Sequence, residues 1–495
     1  MKTFSRPRLR RAAPALALLT LLAASCKKSD GGGTAPTPTP PTPTNPTTST
    51  GSAQVAMWLT LPDQSVLFKR QASLRFTTTL NTDPTIALDT TQAYQTMDGF
   101  GYTLTGGSAQ LMGRMSASSR AALIKELFAT DSTSLGVSYL RVSIGASDLS
   151  DRVYTYDDTA QPDPTLAQFS LAPDQAYLIP VLKEILAVNP AVKILGSPWT
   201  PPLWMKSNGN SVGGTLLPQY YDAYARYFVK YVQAMQAQGI AIDAVTLQNE
   251  PLNPNNNPSL YMTGAQQAAF IKNNVGPAFR AAGLATKIIA YDHNPDTDGI
   301  NFVNAVLGDA EASAFVDGTG FHLYNNTSIS TLGNVHRQYP NKNVYFTEQW
   351  TQANGGFAGD LFWHVNNLEI GAPLNWSRNV LEWNLASDPG TSIHTPGGCT
   401  DCLGAITING DQVARNVAYY AVAHSSKFVR PGSVRVASTT AASLGALRSV
   451  AYKTPSGKRV LVVVNGGGAT KFNIQYNGKL ASTSLNSGAV ATYIW

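Results

Sequence analysis

Charge is the scarcest feature of this 495-residue chain: Asp, Glu, Lys and Arg together make up 13%, about half the usual share. A surface that is polar but sparsely charged suits an exported protein that meets neutral ligands. The net charge of +6 is a local matter. Residues 1–30 carry Lys2, Arg6, Arg8, Arg10, Arg11, Lys27 and Lys28 against Asp30 alone. The remainder holds 29 basic and 29 acidic side chains. No field is left to steer a polyanion, which excludes nucleic acid as a partner. Cysteine is scarce too, with three in the chain. Cys399 and Cys402 lack further ligands at zinc spacing and lack the βα context of a thioredoxin-like site. No P-loop, dinucleotide fingerprint or His-Glu-x-x-His element is present, so no cofactor and no metal is implied.

What stands at the N-terminus is a targeting segment. Five basic residues precede the apolar run Ala12–Ala24, whose 13 residues are too few to span a bilayer but suit a signal-peptide core. The run leads into Leu22-Ala23-Ala24-Ser25-Cys26, which resembles the lipobox of bacterial lipoproteins, with Ala23 where leucine is usual. Ordinary cleavage near Ser25 is the alternative. A lipidated Cys26 would anchor the protein to a bacterial membrane without making it integral. The expectation is an exported protein on the periplasmic or cell-surface side, touching the membrane only through that anchor. Residues 27–52, rich in Pro and Thr, read as a semi-stiff tether.

From Met97 to about residue 424, short apolar runs alternate with longer amphipathic stretches. The pattern predicts strands at Gly99–Leu104, Tyr139–Ile144, Lys193–Ser197, Ala244–Gln248, Lys287–Tyr291, Gly320–Tyr324, Val344–Thr347 and Val380–Asn384. The clearest helices are Ser118–Ala129, Pro173–Val188, Gln219–Gln238, Ala265–Ala282 and Ile300–Leu307. Eight alternations over this length predict an α/β fold, a (β/α)8 TIM barrel. Residues 53–96 and 425–495 read as β structure, including Ser65–Lys69 and Leu74–Thr79 in the first segment. Neither segment is long enough to stand alone. They are expected to form one attached β-sandwich from N- and C-terminal strands.

Two predicted strands deliver a carboxylate where barrels place catalytic side chains, at the C-terminal end. One runs into Gln248-Asn249-Glu250-Pro251; the other is Val344-Tyr345-Phe346-Thr347-Glu348. They are strands four and seven, across the barrel mouth from each other. Glycosidic cleavage needs such a pair, one to protonate the leaving oxygen and one to meet the developing oxocarbenium ion. Close like charges keep one carboxyl protonated, so it can act as the acid. The competing reading is a pair of rim glutamates held in salt bridges.

The flanking pieces narrow the choice. In order they are Met97-Asp98-Gly99-Phe100-Gly101, Leu140-Arg141-Val142-Ser143-Ile144, Ser197-Pro198-Trp199-Thr200-Pro201-Pro202, Gln248-Asn249-Glu250-Pro251, Phe321-His322-Leu323-Tyr324, Phe346-Thr347-Glu348-Gln349 and Glu382-Trp383-Asn384-Leu385. With these pieces the chain resembles glycoside hydrolase family 30, which holds lysosomal-type glucosylceramidases and β-1,6-glucanases. The resemblance implies a clan A barrel with an attached β-sandwich, and a retaining mechanism. It implies Glu250 as acid/base, Glu348 as nucleophile and Arg141 as the cation beneath that nucleophile. It implies Asp148, Trp199, Asn249, His322, Tyr324 and Trp383 as substrate-binding residues, with Asn249 on the 2-hydroxyl. Trp199 and Trp383 are also candidates for plain core residues, and His322 for a structural hydrogen-bonder rather than an acid or base.

The loop Asp388–Cys402 departs from the glucosylceramidase version. Its Gly-Gly-Cys-x-x-Cys stretch is similar to the β-1,6-glucanase branch, and an exported setting favours a Cys399–Cys402 disulfide. The expected function is hydrolysis of β-glucosidic bonds, foremost in β-1,6-glucan. Glucosylceramide hydrolysis and a non-catalytic, surface-anchored glycan-binding protein are the alternatives.

Overall fold

The computed structural model describes residues 54–439 and 444–495. The signal segment, Cys26 and the 27–52 tether lie outside the described residues.

Eight parallel strands close into a barrel. They are β1 (Gly99–Thr103), β2 (Tyr139–Ser143), β3 (Lys193–Ser197), β4 (Ala244–Thr246), β5 (Lys287–His293), β6 (Val316–His322), β7 (Asn343–Glu348) and β8 (Ser377–Asn384). Each pairs with the next, and β8 pairs with β1. These strands read as unbroken apolar runs because both faces are buried, one by the barrel interior and one by helices. The helix Tyr221–Ala237 shows the outer layer. It buries Ala223, Tyr224, Tyr227, Phe228, Tyr231, Val232 and Met235, the spacing of one helical stripe.

Strand pleating builds the interior in storeys, since every second side chain points inward. Tyr139, Leu195, Ala244, Ile289, Tyr345 and Leu381 form one closed apolar cluster. Two residues further along β2, β3, β4 and β7 come Arg141, Ser197, Thr246 and Thr347. The inner lining therefore turns from apolar to polar one step below the mouth.

The second body is a sheet in which Gln54–Thr60 pairs with Val490–Ile494, and Thr85–Thr96 pairs with both Val434–Ser438 and Thr470–Tyr476. N- and C-terminal segments thus share one structure, as neither could bury its apolar face alone. The helix Val417–Ser426, which runs past the expected boundary at 424, joins this body to the barrel. Its fully buried His424 lies 2.9 Å from Thr60 Oγ1 through Nε2 and 2.9 Å from Thr492 Oγ1 through Nδ1.

Several expected elements differ. Ser65–Phe68 is a bend and only Lys69 is in a strand, Lys69–Arg70, with Gln64 and Phe68 at φ 62° and 46°. Phe68 leaves strand geometry to pack its ring 4.9 Å from that of His424. Leu74–Thr79 reduces to the strand Leu74–Arg75. The strand expected at Gly320–Tyr324 starts four residues earlier, at Val316. Helix Ala265–Ala282 contains a π-helical segment at Ile271–Val275. Gly106–Arg114 is a helix not singled out from the sequence. Its opening Gly-Gly argues for a loop, but Thr105 caps it by accepting from the Ser108 N–H.

Candidate active site

The mouth of the barrel holds an open pocket of about 580 Å³ whose lining includes Asp148, Trp199, Asn249, Glu250, Tyr324, Glu348 and Trp383. Two of the sequence-predicted residues, Arg141 and His322, are fully buried beneath it.

Glu348 ends β7, and both its carboxylate oxygens are held. Arg141 Nη1 donates to Oε2 at 2.6 Å, and the Tyr324 hydroxyl donates to Oε1 at 3.0 Å. Burial pushes this carboxyl up, with Glu250 and Asp292 adding to it, against the pull of His322 and Arg141. Glu250 lies four residues past the end of β4, with φ at 46°. Its amide donates to the Asp292 carbonyl at 3.0 Å. Asn253 Nδ2 donates to its Oε2 at 2.8 Å. One oxygen of Glu250, one of Glu348 and one nitrogen of His322 lie within 4.8 Å of one another.

The Arg141 guanidinium is the fixed point of the site. Nη2 donates to Asn249 Oδ1 at 2.6 Å, Asp292 Oδ2 at 2.8 Å and Ser197 Oγ at 3.2 Å. Its planar fork reaches several acceptors at once, as a lysine ammonium cannot. The guanidinium also sits 4.8 Å from the Trp199 ring centre and 5.8 Å from that of Trp383. The two indoles stack at 5.4 Å and 30°. Both are almost wholly buried and both still line the pocket. The choice between core and binding residues was a false one here, since these rings are packed on one side and edge the cavity on the other. Asn249 lines the pocket with Oδ1 committed to Arg141, and its amide nitrogen has no partner among the described residues.

Sequence reading missed Asp292. It ends the run Ile288–Tyr291 as Glu250 and Glu348 end theirs, so the same strand-end signal was there. Tyr291 and Asp292 take φ of 73° and 94°, which breaks the strand alternation and turns Asp292 inward. Its Oδ2 accepts from Arg141, Ser197 and Thr246, each at 2.8 Å. Its Oδ1 accepts from Thr347 at 2.6 Å and faces His322 Nε2 at 3.1 Å. The polar storey of the barrel thus converges on one carboxylate. Burial would raise it, but Arg141 and His322 outweigh that and hold it well below the usual range.

His322 is placed differently from the expectation that it binds substrate. It is fully buried and does not reach the cavity. Nδ1 lies 3.3 Å from Glu250 Oε1 and 3.5 Å from Glu348 Oε1. Burial opposes its charge, but these carboxylates and Asp292 raise it to about 10. Burial raises Glu250, yet the bond to His322 and the nearby His293 and His322 charges bring it down to about 2. His293 is a second residue sequence reading missed. Its Nε2 lies 3.6 Å from Glu250 Oε1, and its Nδ1 has no partner among the described residues.

Asp148 lines the same pocket. Burial, then Glu348 and Glu250, raise its carboxyl to about 7, with the Cys399 N–H opposing. Cys399 and Cys402 are joined as a disulfide on the pocket wall.

Comparison with known proteins places this geometry. The glycosyl hydrolase family 30 TIM-barrel domain matches residues 97–429, and the family's β-sandwich domain matches residues 432–493. An endo-1,6-β-D-glucanase of Trichoderma harzianum is 36% identical over 429 residues, covering 81% of this chain and 85% of its own. The lysosomal acid glucosylceramidase of Mus musculus is 29% identical over 414 residues, 77% of each chain. The solved endo-β1,6-glucanase BT3312 superposes with a TM-score of 0.83 at 35% identity, over 90% of this chain and 99% of that one. The barrel, the sandwich and the matched sequence all lead to one assignment: this chain belongs to glycosyl hydrolase family 30.

Proposed function

We propose that the protein hydrolyses β-1,6-glucan with retention of anomeric configuration. The observation that carries the mechanism is the closeness of the carboxylates. Oxygens of Glu250 and Glu348 within 4.8 Å suit the roughly 5–5.5 Å separation of retaining enzymes and leave no room for the intervening water of inverting ones.

Glu348 attacks the anomeric carbon as the glycosidic C–O bond breaks, and Glu250 delivers a proton to the leaving oxygen. In the second half Glu250 takes a proton from water, the hydroxide attacks the anomeric carbon, and Glu348 departs. The Arg141 and Tyr324 bonds keep Glu348 oriented and favour its charged form. His322 Nδ1 lies 3.3 Å from Glu250 Oε1, close enough to hand a proton to it. A sugar seated over Glu250 removes water from its carboxylate, raises its proton affinity and draws that proton across.

The polar lining of the pocket favours glucan over ceramide. The lining is rich in polar side chains such as Asn253, Asn255, Asn294, Asp296 and Asn325, with Leu252, Pro254 and Trp350 among its apolar members. Such a surface suits hydroxyls and offers little to two alkyl chains. The relatives named endo-1,6-β-glucanase point the same way. Export and lipid anchoring at Cys26 remain part of the proposal and rest on the N-terminal sequence.

Glu250→Gln and Glu348→Gln should each lose nearly all turnover of β-1,6-glucan while melting like the parent, and the first-formed product should be the β anomer. Parental rates in both variants would sink the site assignment, and an α product would sink retention. Faster turnover of glucosylceramide in detergent than of β-1,6-glucan would transfer the proposal to the glycolipid.

A further inference from the structure

The loop Asp388–Cys402 follows β8, and its Cys399 and Cys402 line the pocket together with Asp148. Three sets of contacts define what it does there. First, it grips Asp148: the Thr395 N–H donates to the Asp148 carbonyl at 2.8 Å. A Cβ on Gly398 would come within 2.4 Å of that same oxygen, so only glycine allows the approach. Second, it reaches the loop that follows Glu250. Thr395 Oγ1 donates to the Asn257 carbonyl, and Asn257 Nδ2 donates to the Pro396 carbonyl at 2.9 Å. Third, the Cys402 end is fixed. Gln352 and Cys402 are antiparallel strand partners. Asn384 Nδ2 donates to the Cys402 carbonyl at 3.2 Å. The Cys402 side chain packs in one cluster with Leu149, Trp199 and Trp383.

The disulfide joins the fixed end at Cys402 to the turn Thr395–Cys399 that grips Asp148. Without it, that turn is tied down only by hydrogen bonds at the pocket rim. We propose that the Cys399–Cys402 disulfide is a positioning element for sugar binding: it clamps the loop that sets Asp148 against the glycone. The proposal rests on the reading that Asp148 faces the bound sugar. Glu250 and Glu348 are held by Asn253, Arg141 and Tyr324, none of which belongs to this loop. The clamp therefore acts on binding of the sugar and leaves the Glu250–Glu348 geometry, built by β4 and β7, unchanged.

The test uses the full chain carrying Cys399→Ser and Cys402→Ser together, with kcat and KM measured on an aryl β-glucoside and on β-1,6-glucan. KM should rise about tenfold or more, with kcat within about threefold of the parent. Gly398→Ala, which crowds the Asp148 carbonyl but keeps the disulfide, should raise KM in the same way. A parental KM in the double-serine variant overturns the proposal. Equal falls in kcat and melting temperature with KM unmoved overturn it as well, since that is the signature of a merely structural bond. Asp148→Asn separates the layers. A parental KM there sinks the glycone reading itself, whereas a raised KM beside a parental double-serine variant sinks only the clamp.

Discussion

Asp292→Asn is the sharpest perturbation of this site, because the substitution keeps the shape and removes the charge. The Asp292 carboxylate accepts from Arg141, Ser197, Thr246 and Thr347 and faces His322, all without solvent. An asparagine offers one accepting oxygen and turns an NH2 toward donors that then lack a partner. Removing one member of a buried ion pair costs about 3–5 kcal/mol. With an unfolding entropy of about 2.1 cal/mol/K per residue, some 440 folded residues give about 0.9 kcal/mol/K. The melting temperature should therefore fall by about 3–5 °C at neutral pH. The pH dependence has a definite sign. His322 has a folded pKa raised to about 10, so the stability it contributes is complete below its unfolded value of about 6.5 and is lost as pH rises through 10. Asp292 is one of the groups that raise it, so the variant has less of this stability to lose. The gap in melting temperature should be widest below pH 6.5 and narrow toward pH 10. Turnover of an aryl β-glucoside should fall by about 100-fold, since Arg141 loses its second anchor beneath the nucleophile. Thermal melts from pH 5 to 10, with initial rates at each pH, check all three. A melting temperature within 1 °C of the parent and a superimposable rate profile would refute the role assigned to Asp292.

Two further outcomes follow from buried cations and neutral groups. Arg141→Lys should lower kcat/KM by about 100-fold or more, because one ammonium cannot serve Glu348, Asn249, Ser197 and Asp292 together; a loss under threefold would contradict this. Burial holds His424 at about 3. A depressed folded pKa contributes stability present above the unfolded value of about 6.5 and lost as pH falls toward 3, about 3 kcal/mol of it by pH 4. His424→Gln should flatten that acid loss in denaturant melts at pH 4 and 7, and an unchanged slope would show that other groups dominate.

The two glutamates were legible because a strand-end rule needs only local sequence: an apolar run that finishes in a carboxylate. Asp292 obeys the same rule, yet Tyr291-Asp292-His293 lacks the proline that marks Glu250. Its inward turn depends on two positive φ angles that periodicity does not reveal. His322 was legible as a site residue but not in its role, because that role needs carboxylates from three other strands. The eight barrel strands were legible because burial on both faces leaves unbroken apolar runs. The helix Gly106–Arg114 was not, since a Gly-Gly opening reads as a loop until the Thr105 cap is seen. The loop Asp388–Cys402 could be placed near the mouth from its position after the last strand, but its grip on Asp148 is a tertiary fact.

The charge of the buried cluster bears on why this arrangement suits an oxocarbenium-like transition state. Arg141 supplies a fixed positive charge, and the carboxyls of Asp292, Glu250 and Glu348 gather around it and His322. A proton passed between His322 and Glu250 redistributes charge within the cluster without altering its sum. The sugar arrives neutral and becomes cationic at C1 only as the glycosidic bond stretches. A Glu348 carboxylate is therefore matched by the transition state and not by the ground state, the condition under which a charge accelerates a reaction rather than merely tightening binding. The buried partners enforce this, since the Arg141 and Tyr324 bonds hold the Glu348 carboxylate where C1 must sit and no solvent rearrangement is needed as charge develops.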